Sequence, residues 1–230
     1  MKNWIGGFLA TVVIALSGCA GTPQQNVELA PGALSAQWGR LGIAMTTMPK
    51  VDTYFPGADC LLCLATASLA NSTLTSYTQT LPTEDLIKLK QEAADLIRKK
   101  GINVRLIEEN LHLENLPAWN TEAPNVAKKD FVSLKNKYGI DKLLVMEVSS
   151  LDIRRNYSAY FPTGEPYAIL QGAGYLVNLN NNTYEWYSRI HTVKNSDSKW
   201  DEPPAFPGLT NAYFQVIEIS KDNYLKPFKN

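Results

Sequence analysis

Metal-binding and nucleophilic side chains are scarce in this sequence of 230 residues, which contains two histidines and three cysteines. His112 and His191 each stand alone in the sequence, whereas a structural zinc site needs four ligands. The sequence also lacks G-x-S-x-G, H-E-x-x-H, P-loop and G-x-G-x-x-G motifs, which mark common hydrolases and nucleotide-binding proteins. We therefore predict no metal site, no cofactor and no catalytic residue.

An excess of charge of either sign is also absent, because 22 basic side chains balance 22 acidic ones. Nucleic-acid-binding domains usually carry a clear surplus of Lys and Arg, so we predict no nucleic-acid partner. The length of the chain favours one domain with a sizeable core.

Long hydrophobic runs are limited to one, close to the N-terminus. Lys2 precedes an apolar stretch at residues 5–16. This stretch is shorter than the about 20 residues that span a bilayer, which favours a secretory signal over a permanent transmembrane helix. We predict that residues 1–18 are a signal peptide.

The end of this signal is Leu16-Ser17-Gly18-Cys19, which resembles the lipobox of bacterial lipoproteins. The resemblance implies acylation of the Cys19 thiol and cleavage before it, so that the membrane is a partner through the lipid anchor. It also implies the periplasmic face of the outer membrane, because Ala20 stands where an Asp commonly signals inner-membrane retention. An ordinary signal peptide with a chance cysteine, cut elsewhere, is the alternative, and an inner-membrane or cell-surface location stays open.

The remaining chain divides in two by composition. Residues 19–37 are rich in Gly, Pro, Gln and Ala without an apolar period, which predicts a lipidated N-terminus followed by a flexible tether. Residues 38–230 are predicted to form the single domain. Loss of Lys2 with the signal leaves 21 basic and 22 acidic side chains, a formal net charge of −1.

The two remaining cysteines, Cys60 and Cys63, have the spacing C-x-x-C. Leu61 and Leu62 lie between them, whereas thiol oxidoreductases usually have polar or small residues there. We interpret the pair as a structural disulfide or two buried thiols. Redox activity and a metal site stay open as alternatives.

Periodicity predicts a mixed α/β fold. Alternating or continuous apolar runs predict strands, and apolar residues three and four apart predict helices. Asn180 to Thr183 predict a hairpin turn, because Asn tolerates positive φ. The predicted order is β-α-α-β-α-β-β-β-α, a mixed sheet with a C-terminal antiparallel meander and helices packed on it. The predicted strands are 40–45, 102–107, 142–148, 167–179 and 184–193, and the predicted helices are 60–77, 83–100, 128–138 and one that starts at Thr210.

A family likeness lies in Gly139-Ile140-Asp141-Lys142-Leu143-Leu144-Val145, followed by Gly174-Tyr175-Leu176-Val177-Asn178-Leu179 and Trp186. This helix–Gly–strand and hairpin pattern resembles the TolB N-terminal domain and the envelope lipoproteins CsgG and LpoB, over roughly residues 38–193. Asn178 departs from the pattern, since such hairpins often carry Asp there, and the Cys60 to Cys63 segment has no counterpart. The resemblance implies an α/β fold and a role in binding, assembly or export. It carries no site residue over to this chain, because a fold does not fix a function.

The junction of two predicted strands is the best candidate for a partner surface. Arg154, Arg155, Tyr157, Tyr160 and Phe161 concentrate there, and Tyr and Arg are frequent in interface hot spots. We predict that replacing Arg155, Tyr157 and Tyr160 together with Ala abolishes partner capture and leaves folding intact. The alternative is a long hairpin whose aromatic rings cover the core.

These observations favour a non-enzymatic accessory or docking subunit of an envelope complex for export, secretion or cell-wall work. The expected partner is another envelope protein, and a homo-oligomer stays open. The alternatives are an envelope hydrolase acting on glycan or peptide, with a site not visible in the sequence, and a small-ligand carrier.

Overall fold

Three long antiparallel strands form the centre of the fold. The computed structural model describes residues 23–35, 37, 39–202 and 205–229. In it β4 (Lys142–Arg154), β7 (Tyr167–Asn178) and β8 (Thr183–Asn195) pair in succession as a meander. The turn between β7 and β8 places Asn182 at a φ of 61°. The predicted meander and its Asn turn are therefore confirmed.

Parallel strands complete the sheet. The strand order is β3-β1-β4-β7-β8, in which β1 (Arg40–Met45) lies between β3 (Asn103–Leu106) and β4 and is parallel to both. A further strand, β2 (Asp52–Tyr54), pairs in parallel with the second half of β4. The mixed six-stranded sheet confirms the predicted fold class, and β5 (Tyr157–Ser158) and β6 (Phe161–Pro162) form a separate hairpin.

Helices lie on both faces of the sheet. Along the chain they are α1 (Leu61–Ala70), α2 (Ser72–Thr78), α3 (Glu84–Arg98), α4 (Ser133–Tyr138) and α5 (Pro207–Leu225). Helix α5 begins before the predicted Thr210, because Pro207 fits the first turn of a helix, where no backbone N–H is needed. Within the residues that the structure describes, no helix is long and apolar enough to cross a membrane.

The helix predicted over residues 60–77 is divided in two at Asn71, which is buried. The Nδ2 atom of Asn71 donates to the carbonyl oxygen of Ala67 at 2.7 Å and to the hydroxyl of Tyr157 at 2.7 Å. Side-chain hydrogen bonds of this kind compete with the backbone hydrogen bonds that would continue a helix. The pattern of apolar residues does not contain such polar contacts, so it did not predict the division.

One face of the sheet is covered by α3 and α5 in a large apolar core. On this face the hydroxyl of Tyr224 donates to the carbonyl oxygen of Glu147 at 2.5 Å, across Gly172. A Cβ atom at Gly172 would overlap both groups, and one at Gly174 would overlap the ring of Trp186. Close packing therefore explains the two glycines.

The opposite face is covered over only part of its length. Leu134 and Tyr138 of α4, together with Phe131, pack on the first half of the meander, where the ring of Tyr175 is buried against Phe131. Farther along the same strands Gln171 is half-buried and His191 is exposed. The second half of this face is only partly exposed, since Ile169 of β7 lies on it and is buried.

The described part of the predicted tether is not free. Within residues 23–35, the backbone of Val27 exchanges two hydrogen bonds with Tyr187 of β8, at 2.8 and 2.9 Å, and the N–H of Ala30 donates to the carbonyl oxygen of Glu185 at 2.8 Å. The segment therefore extends the sheet beyond β8, where unpaired edge groups of the strand offer backbone partners. Composition alone does not show such pairing, since it needs no apolar side chains.

A buried lysine fixes the end of this segment. The Nζ atom of Lys142 lies 2.5 Å from a carboxylate oxygen of Glu185 and donates to the carbonyl oxygen of Ala33 at 2.9 Å. The other carboxylate oxygen of Glu185 accepts a 2.9 Å hydrogen bond from Asn178. This group joins the N-terminal segment to three strands of the sheet.

Candidate functional site

The predicted lipidation site, Cys19, lies outside the described residues, as does the predicted signal peptide. The predicted absence of a metal site stays a prediction, although no group of three or more His, Cys, Asp or Glu side chains in the described ranges is arranged to hold a metal ion.

Cys60 and Cys63 are joined by a disulfide in the structure. Cys60 stands at the N-cap of α1, and its Sγ accepts a 2.9 Å hydrogen bond from the backbone N–H of Cys63. Cys60 is exposed, whereas Cys63 is buried against Ala67 and Tyr157. The bond therefore closes the first turn of α1 on itself, while Cys63 packs into the small core beneath it.

The predicted partner surface requires a correction at Tyr157, which is only 7% exposed. Its ring packs edge-on against Phe55 at 5.8 Å between centroids, and its hydroxyl accepts the hydrogen bond from Asn71. The backbone N–H of Tyr157 donates to the carbonyl oxygen of Pro56, which draws the chain inward at this point. At Tyr157 the alternative of an aromatic core residue is correct, and its replacement by Ala would disturb folding.

The two arginines of the predicted surface are also held by the domain. Arg154 forms an ion pair with Asp152 at 2.9 Å and is largely buried. The guanidinium of Arg155 donates to Oδ1 of Asn71 at 3.0 Å and lies 4.7 Å from the ring centre of Trp200. Both guanidinium groups already have partners, so neither is a free anchor for another protein.

Tyr160 and Phe161 are the exposed members of the predicted surface. Phe161 is 74% exposed, at the tip of the β5–β6 hairpin. The hydroxyl of Tyr160 lies 3.8 Å from Sγ of Cys60. The hairpin tip therefore lies beside the start of α1.

Helix α1 itself exposes most of its apolar side chains. Leu61 is 85% exposed, Leu62 68% and Leu69 77%, and Leu64 is exposed too. We call these four side chains the leucine surface. The buried side chains of α1 are instead Cys63 and Ala67.

The sequence predicted a helix here without assigning its buried face, and one feature indicates that the leucines are exposed. No charged side chain occurs between Asp59 and Glu84, so α1 has no charged face to turn toward solvent. The stripe with helical spacing is formed by the small residues Cys63 and Ala67, not by the leucines. Such a stripe indicates a helix that lies close to the domain and exposes its large side chains.

A second candidate site lies on the same sheet face, beyond the part that α4 covers. In the register of the meander Glu147 is opposite Ala173, and Ala173 is opposite Arg189. The next row contains Ser150, Gln171 and His191, and Ser149 is the extra residue of a bulge in β4. Glu147, Gln171, Arg189 and His191 line an open cleft of about 430 Å³.

Glu147 contributes a carboxyl group to the lining of this cleft. Its partial burial raises its pKa, and a 3.4 Å hydrogen bond from the hydroxyl of Tyr175 lowers the pKa in part. The rings of Tyr175, Tyr184 and Tyr187 pack against one another beside it, with centroids 5.1–5.7 Å apart. Burial likewise raises the pKa of Tyr187. A carboxyl desolvated in a cleft is a common feature of functional sites.

No protein-family model matches the chain, and no curated protein matches it. Among solved structures, the chain is similar to PelC, a dodecamer from Paraburkholderia phytofirmans, with a TM-score of 0.33 and 13% identity over 89% of this chain and 94% of PelC. It is similar to lipoprotein GNA1162 from Neisseria meningitidis with a TM-score of 0.32 and 11% identity, over 79% of this chain and 99% of that one. For XCC0632 from Xanthomonas campestris, a DUF330 protein, the TM-score is 0.36 and the identity 10%, over 81% of each chain. All three TM-scores are below 0.5, so the proposals below rest on the residues of this chain alone.

Proposed function

We propose that this protein is a lipid-anchored envelope protein that docks through its leucine surface onto another envelope protein and catalyses no reaction. The exposure of Leu61, Leu62, Leu64 and Leu69 carries the proposal. Scattered apolar side chains are normal on a protein surface, but a contiguous apolar patch usually marks an interaction site. Burying one leucine side chain contributes about 1.5–3 kcal/mol, so four of them supply a substantial driving force for association.

A protein fits this surface better than a bilayer does. Helix α1 has 10 residues. At about 1.5 Å per residue it is about 15 Å long, half of the hydrocarbon thickness of a membrane. Helices that lie in the membrane interface usually carry Lys or Arg on a polar face, whereas residues 60–83 contain no charged side chain. A mainly apolar helix without charged side chains is typically covered by protein.

The tip of the hairpin extends the same surface. Phe161 is exposed next to Tyr160, whose hydroxyl contacts Cys60. Aromatic side chains are enriched at the centre of interfaces, where charged residues are depleted. The leucine surface and Phe161 have this composition, so we include Phe161 in the docking surface and exclude the buried Tyr157.

We expect the double substitution Leu61→Ser with Leu62→Ser to lower partner capture at least tenfold, because each loss of about 1.4 kcal/mol is a factor of ten. The measurement uses a photo-crosslinking amino acid at position 64 in living cells, with the adduct identified by mass spectrometry. Ile87→Ser with Ile219→Ser is the matched control, since both side chains are exposed on other helices. An equal yield of crosslinked adduct in the two double variants would contradict the proposal. An adduct between two copies of this protein would show that the surface serves self-association and does not dock onto another protein.

The anchor is tested separately. We expect the mature N-terminus to be an acylated Cys19 and the protein to be in the outer-membrane fraction. We expect Cys19→Ser to remain uncleaved by the lipoprotein pathway and to carry no acyl chains. Mass spectrometry of the N-terminal peptide and membrane fractionation are the measurements, with Cys60→Ser as the control. An unmodified Cys19, cleavage at another bond, or a location wholly in the inner membrane would contradict this part of the proposal.

A further inference from the structure

The two cysteines of the disulfide differ in their access to solvent. Cys60 is exposed at the N-cap of α1, whereas Cys63 is only 3% exposed and belongs to the small core with Ala67 and Tyr157. Thiol–disulfide exchange begins when a thiolate attacks one of the two sulfurs, so access decides which sulfur is attacked. An external thiolate can therefore reach the sulfur of Cys60 and not that of Cys63.

The position of Cys60 also stabilises the thiolate that reduction would leave there. Its Sγ accepts the 2.9 Å hydrogen bond from the backbone N–H of Cys63, and the hydroxyl of Tyr160 lies 3.8 Å away. The unpaired N–H groups at a helix N-terminus carry a partial positive charge, which favours an anion at the N-cap. Asp59 opposes this effect, but it is exposed, so solvent screens its charge. Cysteines in such positions, and in C-x-x-C pairs, are accordingly more reactive than free cysteine.

The side chains around Cys60 are apolar and exposed. Leu61 and Leu62 follow it directly, and Phe161 adjoins Tyr160 at the tip of the hairpin. A protein segment that carries a thiol beside apolar side chains can bury those side chains here. The contacts that bind the leucine surface would then bring its thiolate to Cys60.

We propose that the disulfide between Cys60 and Cys63 oxidises a pair of cysteine thiols in the protein that docks onto the leucine surface. In the first step a thiolate of the partner forms a bond to Sγ of Cys60. The bond between Cys60 and Cys63 breaks, and its electron pair leaves on Cys63, which takes up a proton because burial favours the neutral thiol. In the second step the partner's other thiolate attacks the partner's sulfur in the mixed disulfide and releases Cys60 as a thiolate.

The exchange transfers two electrons from the partner to this protein. The two thiols of the partner become a disulfide, one of their protons stays on Cys63, and the other passes to solvent. The disulfide is itself the oxidant, and it reacts once per molecule, so the exchange is stoichiometric and not catalytic. The inference rests on the proposed docking function, because the leucine surface brings the partner's thiols to Cys60.

The first test needs no partner protein. The purified full-length protein in detergent is treated with reduced glutathione, quenched with acid and analysed by mass spectrometry with peptide fragmentation. We expect a glutathione adduct on Cys60 and none on Cys63. In Cys63→Ala, which keeps the backbone N–H at position 63, the alkylation rate of Cys60 should fall less than about threefold from pH 9 to pH 7. For a free thiol with a pKa of about 8.5, the fall is about 25-fold.

The second test connects the exchange with the leucine surface. Two synthetic peptides each carry two cysteines, flanked by leucines in one and by glycine and serine in the other. We expect the leucine-flanked peptide to reduce the disulfide at least about tenfold faster, as a gain of about 1.4 kcal/mol in binding would allow. Leu61→Ser with Leu62→Ser should remove this ratio, and Ile87→Ser with Ile219→Ser, on other helices, should keep it. Because both peptides meet the same disulfide in each variant, the ratio reports the surface and not the reactivity of Cys60.

The outcomes separate the exchange from the docking. An adduct on Cys63 or on neither cysteine, or a fall of about 25-fold in the alkylation of Cys60, would overturn the exchange and leave the disulfide with a structural role. Equal rates for the two peptides in the wild-type protein would overturn the assignment of the docked protein as the thiol donor. If the exchange fails while crosslinking at position 64 still captures a partner, the docking function stands without it. The glutathione measurement uses the wild-type protein, so the test remains decisive if Cys63→Ala does not fold.

Discussion

Replacing Lys142 with alanine should lower the free energy of unfolding by about 3–5 kcal/mol, because it leaves the partly buried carboxylate of Glu185 without its cation. It also removes the donor to the carbonyl oxygen of Ala33, which lies in the docked N-terminal segment. Small domains are stable by about 5–15 kcal/mol in total, so this loss is large. Equilibrium denaturation by urea measures it.

The matched control for Lys142→Ala removes both charges. Lys142→Met with Glu185→Leu should recover most of the lost stability, since replacing a buried ion pair by apolar side chains is often neutral or stabilising. Lys194→Ala, on the same β8 edge as Glu185, should cost little. A loss below about 1 kcal/mol in Lys142→Ala would mean that water reaches the pair, as it does in surface salt bridges.

Replacing Gly172 with alanine should cost about 3 kcal/mol, at the upper end of the range for overpacked sites. The added methyl group would overlap the carbonyl oxygen of Glu147 and the hydroxyl of Tyr224, which are bonded to each other. Backbone in the middle of a sheet cannot move aside as a flexible side chain can. For a domain of this size a loss of about 3 kcal/mol lowers the melting temperature by about 6–12 °C.

Gly164→Ala is the control for this substitution, because no heavy atom lies within 4 Å of a Cβ built there and its φ is not positive. Thermal unfolding of the two variants should differ clearly. Equal melting temperatures would show that β4 and β7 separate easily at this point, and would contradict the close packing of Tyr224 over the sheet.

The parts of the fold that local sequence patterns control were predictable. The meander follows from three apolar runs and an Asn-rich turn at Asn182, since strand period and turn chemistry act over a few residues. The division of the first helical segment at Asn71 was not predictable. It depends on the contact with Tyr157, which is 86 residues away.

The candidate sites depend on contacts between distant segments even more strongly. Tyrosine is frequent in interfaces, but Tyr157 is buried by its contacts with Phe55 and Asn71. Of the predicted surface, Tyr160 and Phe161 are the exposed residues. The cleft at Glu147 requires the register of β4, β7 and β8, including the bulge at Ser149. Register between strands is set by the whole sheet, and the sequence of one strand does not contain it.

The pairing of Val27 with Tyr187 would order the folding of an exported chain. The two residues are 160 positions apart, so the N-terminal segment has no place to bind until β8 has formed. If the chain is exported and anchored at Cys19, as we propose, residues 20–39 could extend over about 65 Å until then, and residues 20–26 over only about 23 Å afterwards. The domain would thus fold at a distance from the bilayer and be drawn toward it when its last strand is complete.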